Sequence, residues 1–569
     1  FQAQRGALGA SADDAAPYFD LLLARMASDP AKADDYRSRF FSAAESVVSN
    51  ATAQTVSKLA ARVASGDGAV TGRVRALDDT RRELRAAEAQ AANLQAANAY
   101  AGQDRADLEA RLQALQAQSD TLEAQLLAAN PRYSQLVSSE ASIADLQKTL
   151  RKDEVFVKVL LLSTRGYGIL VSPNSAKAYA IDLNRNSAAI LVNALRAPFE
   201  AEDSLPPFDL AKAYTLYQKL FGPIAGEMAA AKHLVYEPDG SLISLPVSTL
   251  VTADPAALLA RTAKDKDPDY RQVAWLGART DSALVLSAAS FMQSRAFAPS
   301  RATRPFLAFA DPSTPAKSDP AAYSSVVKRS ASQRSVSLRG ERDVTNVCEN
   351  TRLALLQMPP LPDTADEVRQ VGASLGVGAG ETIVTGKAFT DDTVKDRKDL
   401  SDYRVIYFAT HGLLPQPSAC LPEPALMTSV GIGDSDGLLN SSEILDLKLD
   451  ADLVVLSACD TGGAGGDDAA TGLQGGGEAL GGLTRAVIYA GGRSLIVSHW
   501  SVDSVATVRL MTGMFSAGSP SKAEALTTSM AALQADEQFS HPYFWAPFTI
   551  VGDGAAPLPS AASTRTAAR

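Results

Sequence analysis

Cysteine, histidine and tryptophan are scarce in this chain, whose 569 residues include 3 Cys, 4 His and 3 Trp. Three cysteines are too few for a disulfide scaffold. The dispersed histidines share no close Cys/His spacing, so no metal site is expected. A basic excess is missing as well. The net charge of −10 removes the electrostatic footprint of a nucleic-acid binder. No apolar run approaches the ~18 residues of a membrane span. The longest, Val155 to Leu162, contains Lys158 and reads as a strand. A hydrophobic content of 46% with 21% charged residues is ordinary for a globular protein, and the length implies roughly two to four domains. Phe1 in place of Met is expected of a cropped or processed chain, which leaves a removed signal peptide open.

Against that scarcity, two short motifs stand out. YFATHG spans Tyr407 to Gly412 and VVLSACDTGG spans Val454 to Gly463. Each is an apolar run that stops at a reactive residue near glycine, the first at His411 and the second at Cys459. A cysteine attacks as thiolate, and a neighbouring imidazole deprotonates it or stabilises the ion pair. The two motifs therefore predict a thiol nucleophile and its base on adjacent strand ends, and acyl-transfer chemistry. Gly412 lets the backbone approach a substrate closely. The N–H groups of Gly412 and Cys459 are candidates for an oxyanion hole. Alone, Cys459 reads as a small buried hydrophobe and His411 as a satisfied imidazole; it is their matching contexts that favour a dyad.

The chain changes character along its length. Residues 1–130 are rich in helix-forming Ala, Gln, Leu, Arg and Glu. Leu77 and Leu84, then Leu108, Leu115 and Leu122, repeat a seven-residue step, with Leu112 and Leu126 between. This predicts a coiled-coil hairpin turning at Gly102. Tyr18 to Ser65 reads as two further helices, the remnant of a repeat array, although no period of ~34 residues is visible. Residues 131–312 open with strand-like Val155–Leu162, Tyr167–Val171 and Ala178–Leu183, then helices over Ser187–Leu195 and Leu210–Phe221. Short strands follow at His233–Tyr236 and Thr303–Phe309. Residues 313–345 form a polar, basic linker, exposed and a candidate cleavage site. In 346–554 strands and helices alternate, which predicts a parallel α/β sheet with its ligand outside the carboxyl ends of the strands. Residues 555–569 read as a disordered tail.

A third strand, Ser494–Val497, leads into Ser498-His499-Trp500-Ser501-Val502-Asp503. Ser498, Trp500, Asp503 and Ser504 are pocket candidates beside the dyad. Trp500 is either a pocket wall or core. Asp503 either contacts a basic substrate side chain or caps the following helix, and its strong N-cap preference favours the cap. His499 and His541 belong to no catalytic constellation in the sequence and read as structural. The glycine-rich stretch Gly462–Gly477 has no closing Gly-Lys-Ser or Gly-Lys-Thr, so a mobile gating loop is the better reading than a phosphate loop. Cys348 and Cys420, both in polar sequence, are either two free thiols or one disulfide. A pair would point to an oxidising compartment such as the periplasm, free thiols to the cytoplasm.

Several blocks together resemble the CHAT domain family, caspase-like clan CD cysteine peptidases of bacteria that often follow tetratricopeptide repeats. They are Gly240–Pro246, Leu307–Pro312, Leu361–Glu367, the YFATHG and LSACDTG motifs, Gly477 to Ala486, VSHWSVD, His541–Phe548 and Val551–Gly554. The resemblance implies an α/β caspase-like sheet flanked by helices, with a degenerate companion subdomain and an N-terminal all-α region. It implies a His411–Cys459 dyad that hydrolyses peptide bonds through a thioester, with no cofactor. It implies a protein or peptide substrate and a regulatory partner acting through the N-terminal helices. One departure stands out. Related enzymes, separases among them, often carry an aspartate four residues after the tryptophan; here that position is Ser504 and the aspartate is Asp503. Paired arginines suited to an aspartate substrate are also missing. The alternative to a regulated cysteine endopeptidase is a silent or dormant caspase-like scaffold.

Overall fold

The computed structural model describes residues 15–47, scattered positions between 76 and 125, and 141–559 except 202–203, 263–266, 315–354, 357, 379, 381, 414–420, 422–423, 431–434, 459–481, 485, 489 and 519. Cys348, Cys420, Cys459 and the stretch Gly462–Gly477 lie outside the described residues. The chain divides into two compact units, residues 50–140 and the remainder. In the first, the described helical positions carry an apolar stripe. Leu108 and Leu115 are buried and Leu112 and Leu122 half-buried, while Asp107, Ala110, Arg111 and Thr121 are exposed.

The second unit is built on one large sheet. Its strands are β1 (Glu154–Leu161), β2 (Gly166–Ser172), β3 (Ser175–Ile181), β4 (His233–Glu237), β5 (Asp281–Leu284), β6 (Arg304–Ala310), β7 (Ile383–Thr385), β8 (Tyr403–Thr410), β12 (Leu453–Ala458), β13 (Ser494–Ser498) and β14 (Phe548–Gly552). Three short strands, β9 (Gly412–Leu413), β10 (Ala425–Met427) and β11 (Leu438–Asn440), form a separate small sheet. The large sheet has 11 strands in the order β3-β2-β1-β4-β5-β14-β13-β12-β8-β6-β7. β7, β6, β8, β12 and β13 run parallel, as the strand–helix alternation predicts. β14 pairs antiparallel with β13 and parallel with β5, joining the companion strands to the rest.

That order does not follow the boundary expected at residue 312. β6 precedes the linker in sequence yet lies between β8 and β7, on the far side of β12 and β8. Among the described residues the longer helices are α1 (Ala16–Ser28), α2 (Ala33–Val47), α3 (Arg185–Arg196), α4 (Leu210–Phe221), α5 (Pro362–Ser374), α6 (Ser504–Ser516) and α7 (Lys522–Gln534). Strands buried on both faces read as continuous apolar runs, and β8 and β12 do so. Val405, Tyr407 and Ala409 of β8, with Leu453 and Val455 of β12, belong to the core under α3 to α7. Ile406, Phe408, Val454, Leu456 and Ala458 belong to the opposite core. Gly491 makes the turn into β13 with φ +113; a Cβ there would meet the Leu449 carbonyl oxygen at 2.1 Å.

α1 and α2 are not part of the separate helical unit. Phe19, Phe40 and Phe41 pack with Phe156, Leu160, Tyr167 and Ile169 on the β1–β2 face. Phe19 lies 4.9 Å from both Phe40 and Tyr167, ring centre to ring centre. Burying each such ring contributes roughly 1.5–3 kcal/mol. The aromatic faces of these helices are core of the sheet unit. Among the described residues, no helix is long and apolar enough to cross a membrane.

Candidate active site

The site forms where three parallel strands end. β8 and β12 pair in register up to Thr410 opposite Ala458. The next residue of the first is His411 and of the second Cys459. β13 lies on the other side of β12 and closes with Ser498. Thr410 and Ala458, the residues before the two predicted ones, thus end side by side at the carboxyl edge of neighbouring strands, where open α/β sheets bind ligands.

His411 is buried, and its Nε2 lies 2.8 Å from the carbonyl oxygen of Pro359. A carbonyl only accepts, so Nε2–H donates, and in a neutral ring this puts the lone pair on Nδ1. The backbone around it is fixed. Thr410 Oγ1 donates to the Met427 carbonyl at 2.6 Å, and the Met427 N–H donates to the His411 carbonyl at 2.9 Å. Because hydrogen-bonded and non-hydrogen-bonded pairs alternate along antiparallel strands, that bond makes Gly412 and Leu426 a non-hydrogen-bonded pair. The Gly412 N–H therefore points away from β10, the orientation an oxyanion donor needs.

The third strand is assembled differently from the expected pocket. Ser498 is buried and its hydroxyl donates to the Ala458 carbonyl, one residue before Cys459. Trp500 is 2% exposed, stacks on Phe199 at 4.1 Å, and donates Nε1–H to the Tyr543 carbonyl at 3.1 Å. Of the two readings of Trp500, core is the one observed. Asp503 caps α6, accepting the Ala506 N–H at 2.8 Å. Ser504 is the half-buried first residue of that helix. His499 is buried, with Nε2 3.0 Å from Thr549 Oγ1. His541 Nδ1 accepts the Tyr543 N–H at 3.1 Å, and burial pulls its pKa down to about 4.

Two features beneath the site escaped the sequence reading. Glu367 of α5 is buried; Tyr407 of β8 donates its hydroxyl to the carboxyl, and the Ser457 hydroxyl of β12 lies beside it. Burial pushes the carboxyl up to about 7, opposed by those two hydroxyls. Glu367 closes the Leu361–Glu367 block, but the block gives no sign of its partners. The second is Arg196, buried at the end of α3. It donates to the carbonyls of Ser244 at 2.7 Å and His499 at 2.9 Å. α3 thereby braces the segment that follows β13.

The fold defines an α/β sheet protein with helices on both faces and with β8 and β12 ending side by side at one edge. Residues 210–553, more than half of the chain, match the family described as CHAT domain, and the chain belongs to that family. It is 33% identical over 117 residues to mouse (Mus musculus) tetratricopeptide repeat protein 28; the match spans 20% of this chain and 4% of that protein. Among solved structures, the pro- and mature domains of RgpB from Porphyromonas gingivalis align at 11% identity, over 65% of this chain and 76% of that one, with a TM-score of 0.30. The Saccharomyces cerevisiae separase–securin complex aligns at 10% identity, over 78% of this chain and 34% of that one, with a TM-score of 0.37.

Proposed function

We propose that this protein is a cysteine endopeptidase that cleaves protein substrates through a thioester, with Cys459 as nucleophile and His411 as its acid–base partner. The observation that carries the reading is the parallel pairing of β8 with β12 up to Thr410 and Ala458, the residues before the histidine and the cysteine. Membership of the CHAT domain family supports it. In this scheme the Cys459 thiolate attacks the scissile carbonyl carbon. The N–H groups of Gly412 and Cys459 receive the oxyanion. His411, held through Nε2 by Pro359, uses Nδ1 to pass a proton to the leaving amine. Water then attacks the thioester, Nδ1 takes its proton, and the acid product and free thiol are released.

Residues 50–140 are the candidate recognition or regulatory region, since α1 and α2 are committed to the core. The test is a cleavage profile on a diverse peptide library. Wild type is expected to release products that Cys459→Ala and His411→Ala do not. Equal cleavage by Cys459→Ala would sink the proposal. An absence of both cleavage and Cys459 labelling by electrophilic peptide probes would favour the silent scaffold.

A further inference from the structure

The interior beneath the two strand ends holds a buried carboxyl on one side only. On one face of the sheet the residues just below the edge are Phe408, Leu456 and Ala458, apolar and buried, with Thr410 bonded to the Met427 carbonyl. On the other face, at the same depth, Glu367, Tyr407 and Ser457 are buried together. The carboxyl of Glu367 accepts the Tyr407 hydroxyl, and the Ser457 hydroxyl lies beside it. A buried carboxyl among neutral hydroxyls is a costly way to fill a core, since apolar groups of similar volume serve stability as well or better. Its placement is therefore informative. Tyr407 lies four residues before His411 and Ser457 two before Cys459, so each shares the strand parity of a proposed dyad member. The segment that carries Glu367 also carries Pro359, whose carbonyl receives His411 Nε2 at 2.8 Å.

Resting on the proposed peptidase reading, we infer that Glu367 is a positioning residue: it ties α5 to β8 and β12 and fixes the relative height of the two strand ends that present His411 and Cys459. It acts on the cysteine through Ser457, and on the histidine through Tyr407 and through the placement of Pro359. A carboxyl at this place suits the task because its directional bond to Tyr407, with Ser457 beside it, sets α5 against both strands. Apolar packing would tolerate sliding. Misplacing a catalytic group by about 1 Å costs on the order of 100-fold in rate.

The test needs no known substrate. Alkylation of Cys459 by iodoacetamide is followed against pH by peptide mapping, which separates it from Cys348 and Cys420. Wild type, Glu367→Ala, Glu367→Gln, Tyr407→Phe with Ser457→Ala, and His411→Ala are compared, with melting temperatures recorded for each. Glu367→Ala is expected to slow alkylation at neutral pH by about 10- to 100-fold, and to move the profile up toward an ordinary thiol near 8.5. Glu367→Gln, which accepts from Tyr407 beside Ser457 without charge, is expected to stay close to wild type. The double variant removes only the hydroxyls, and serves in place of Glu367→Ala if that protein fails to fold. A wild-type profile in a folded variant lacking these bonds, with His411→Ala slowed, overturns the positioning role alone. Glutamine as slow as alanine also overturns it, because charge and not tethering would then be at work. A wild-type profile in His411→Ala overturns the dyad reading, and the inference with it.

Discussion

Asp503 is a residue with two candidate tasks, and its geometry separates them. Its side chain accepts the Ala506 N–H at 2.8 Å as the N-cap of α6. Replacing such a cap with alanine costs about 1 kcal/mol, whereas asparagine caps as well as aspartate does. Asp503→Ala is therefore expected to lower the urea midpoint and Asp503→Asn to leave it in place. Asparagine also removes the charge that would select a basic substrate residue. With the cap as its task, the cleavage profile of Asp503→Asn on a peptide library matches wild type. A loss of preference for Arg or Lys before the cut would assign it to selectivity instead. The cap was legible from residue type alone. The core position of Trp500 was not, because its stacking partner Phe199 lies some three hundred residues earlier in the chain.

At the scale of elements, β1 carries the least expected arrangement. Lys158 is buried within it, with Nζ 2.6 Å from Glu45 of α2 and in contact with Glu237 of β4. The two carboxylates hold the ammonium well above the usual lysine range even though burial opposes the charge. Removing one member of such a group strands the others, so Lys158→Ala is expected to cost about 3–5 kcal/mol. Chemical denaturation measures this; a change within experimental error would mean the group is hydrated in solution. Lysine in an otherwise apolar strand was visible in the sequence, and its ion partners, from distant elements, were not. The same limit runs through the fold. β8, β12 and β13 were legible because burial on both faces leaves unbroken apolar runs. β5 was missed: four residues with Asp281 and Ser282 make no run. β9 to β11, of two or three residues each, give no periodic signal. α1 and α2 were legible as helices, but not as core, because their destination is set by the β1–β2 face.

At the scale of the molecule, β1 to β5 and the strands from β6 to β8 and β12 to β14 are one sheet, not two neighbouring domains. The last strand, β14, enters the middle of the order and pairs on both sides, with β13 and with β5. Across this junction Trp500 stacks on Phe199 at 4.1 Å, Trp275 meets Trp545 edge-on at 5.2 Å, and Arg196 reaches the His499 carbonyl. Every tryptophan of the chain sits here, each at most 2% exposed. Separating the halves would expose these rings and unpair one edge of β14, so neither half has a self-sufficient core along that seam. Unfolding of the sheet unit is therefore expected to be a single cooperative step. Tryptophan fluorescence reports the junction, while hydrogen exchange with mass spectrometry follows peptides from β1 and β12 on either side of it. Under increasing urea the three signals should share one midpoint. A fluorescence change that precedes loss of protection in β1 and β12 would show that the halves come apart first and that the companion strands fold independently. Coincident midpoints would mean that a change in the companion strands, through Arg196 and Phe199, reaches the segment after β13 without an intervening hinge.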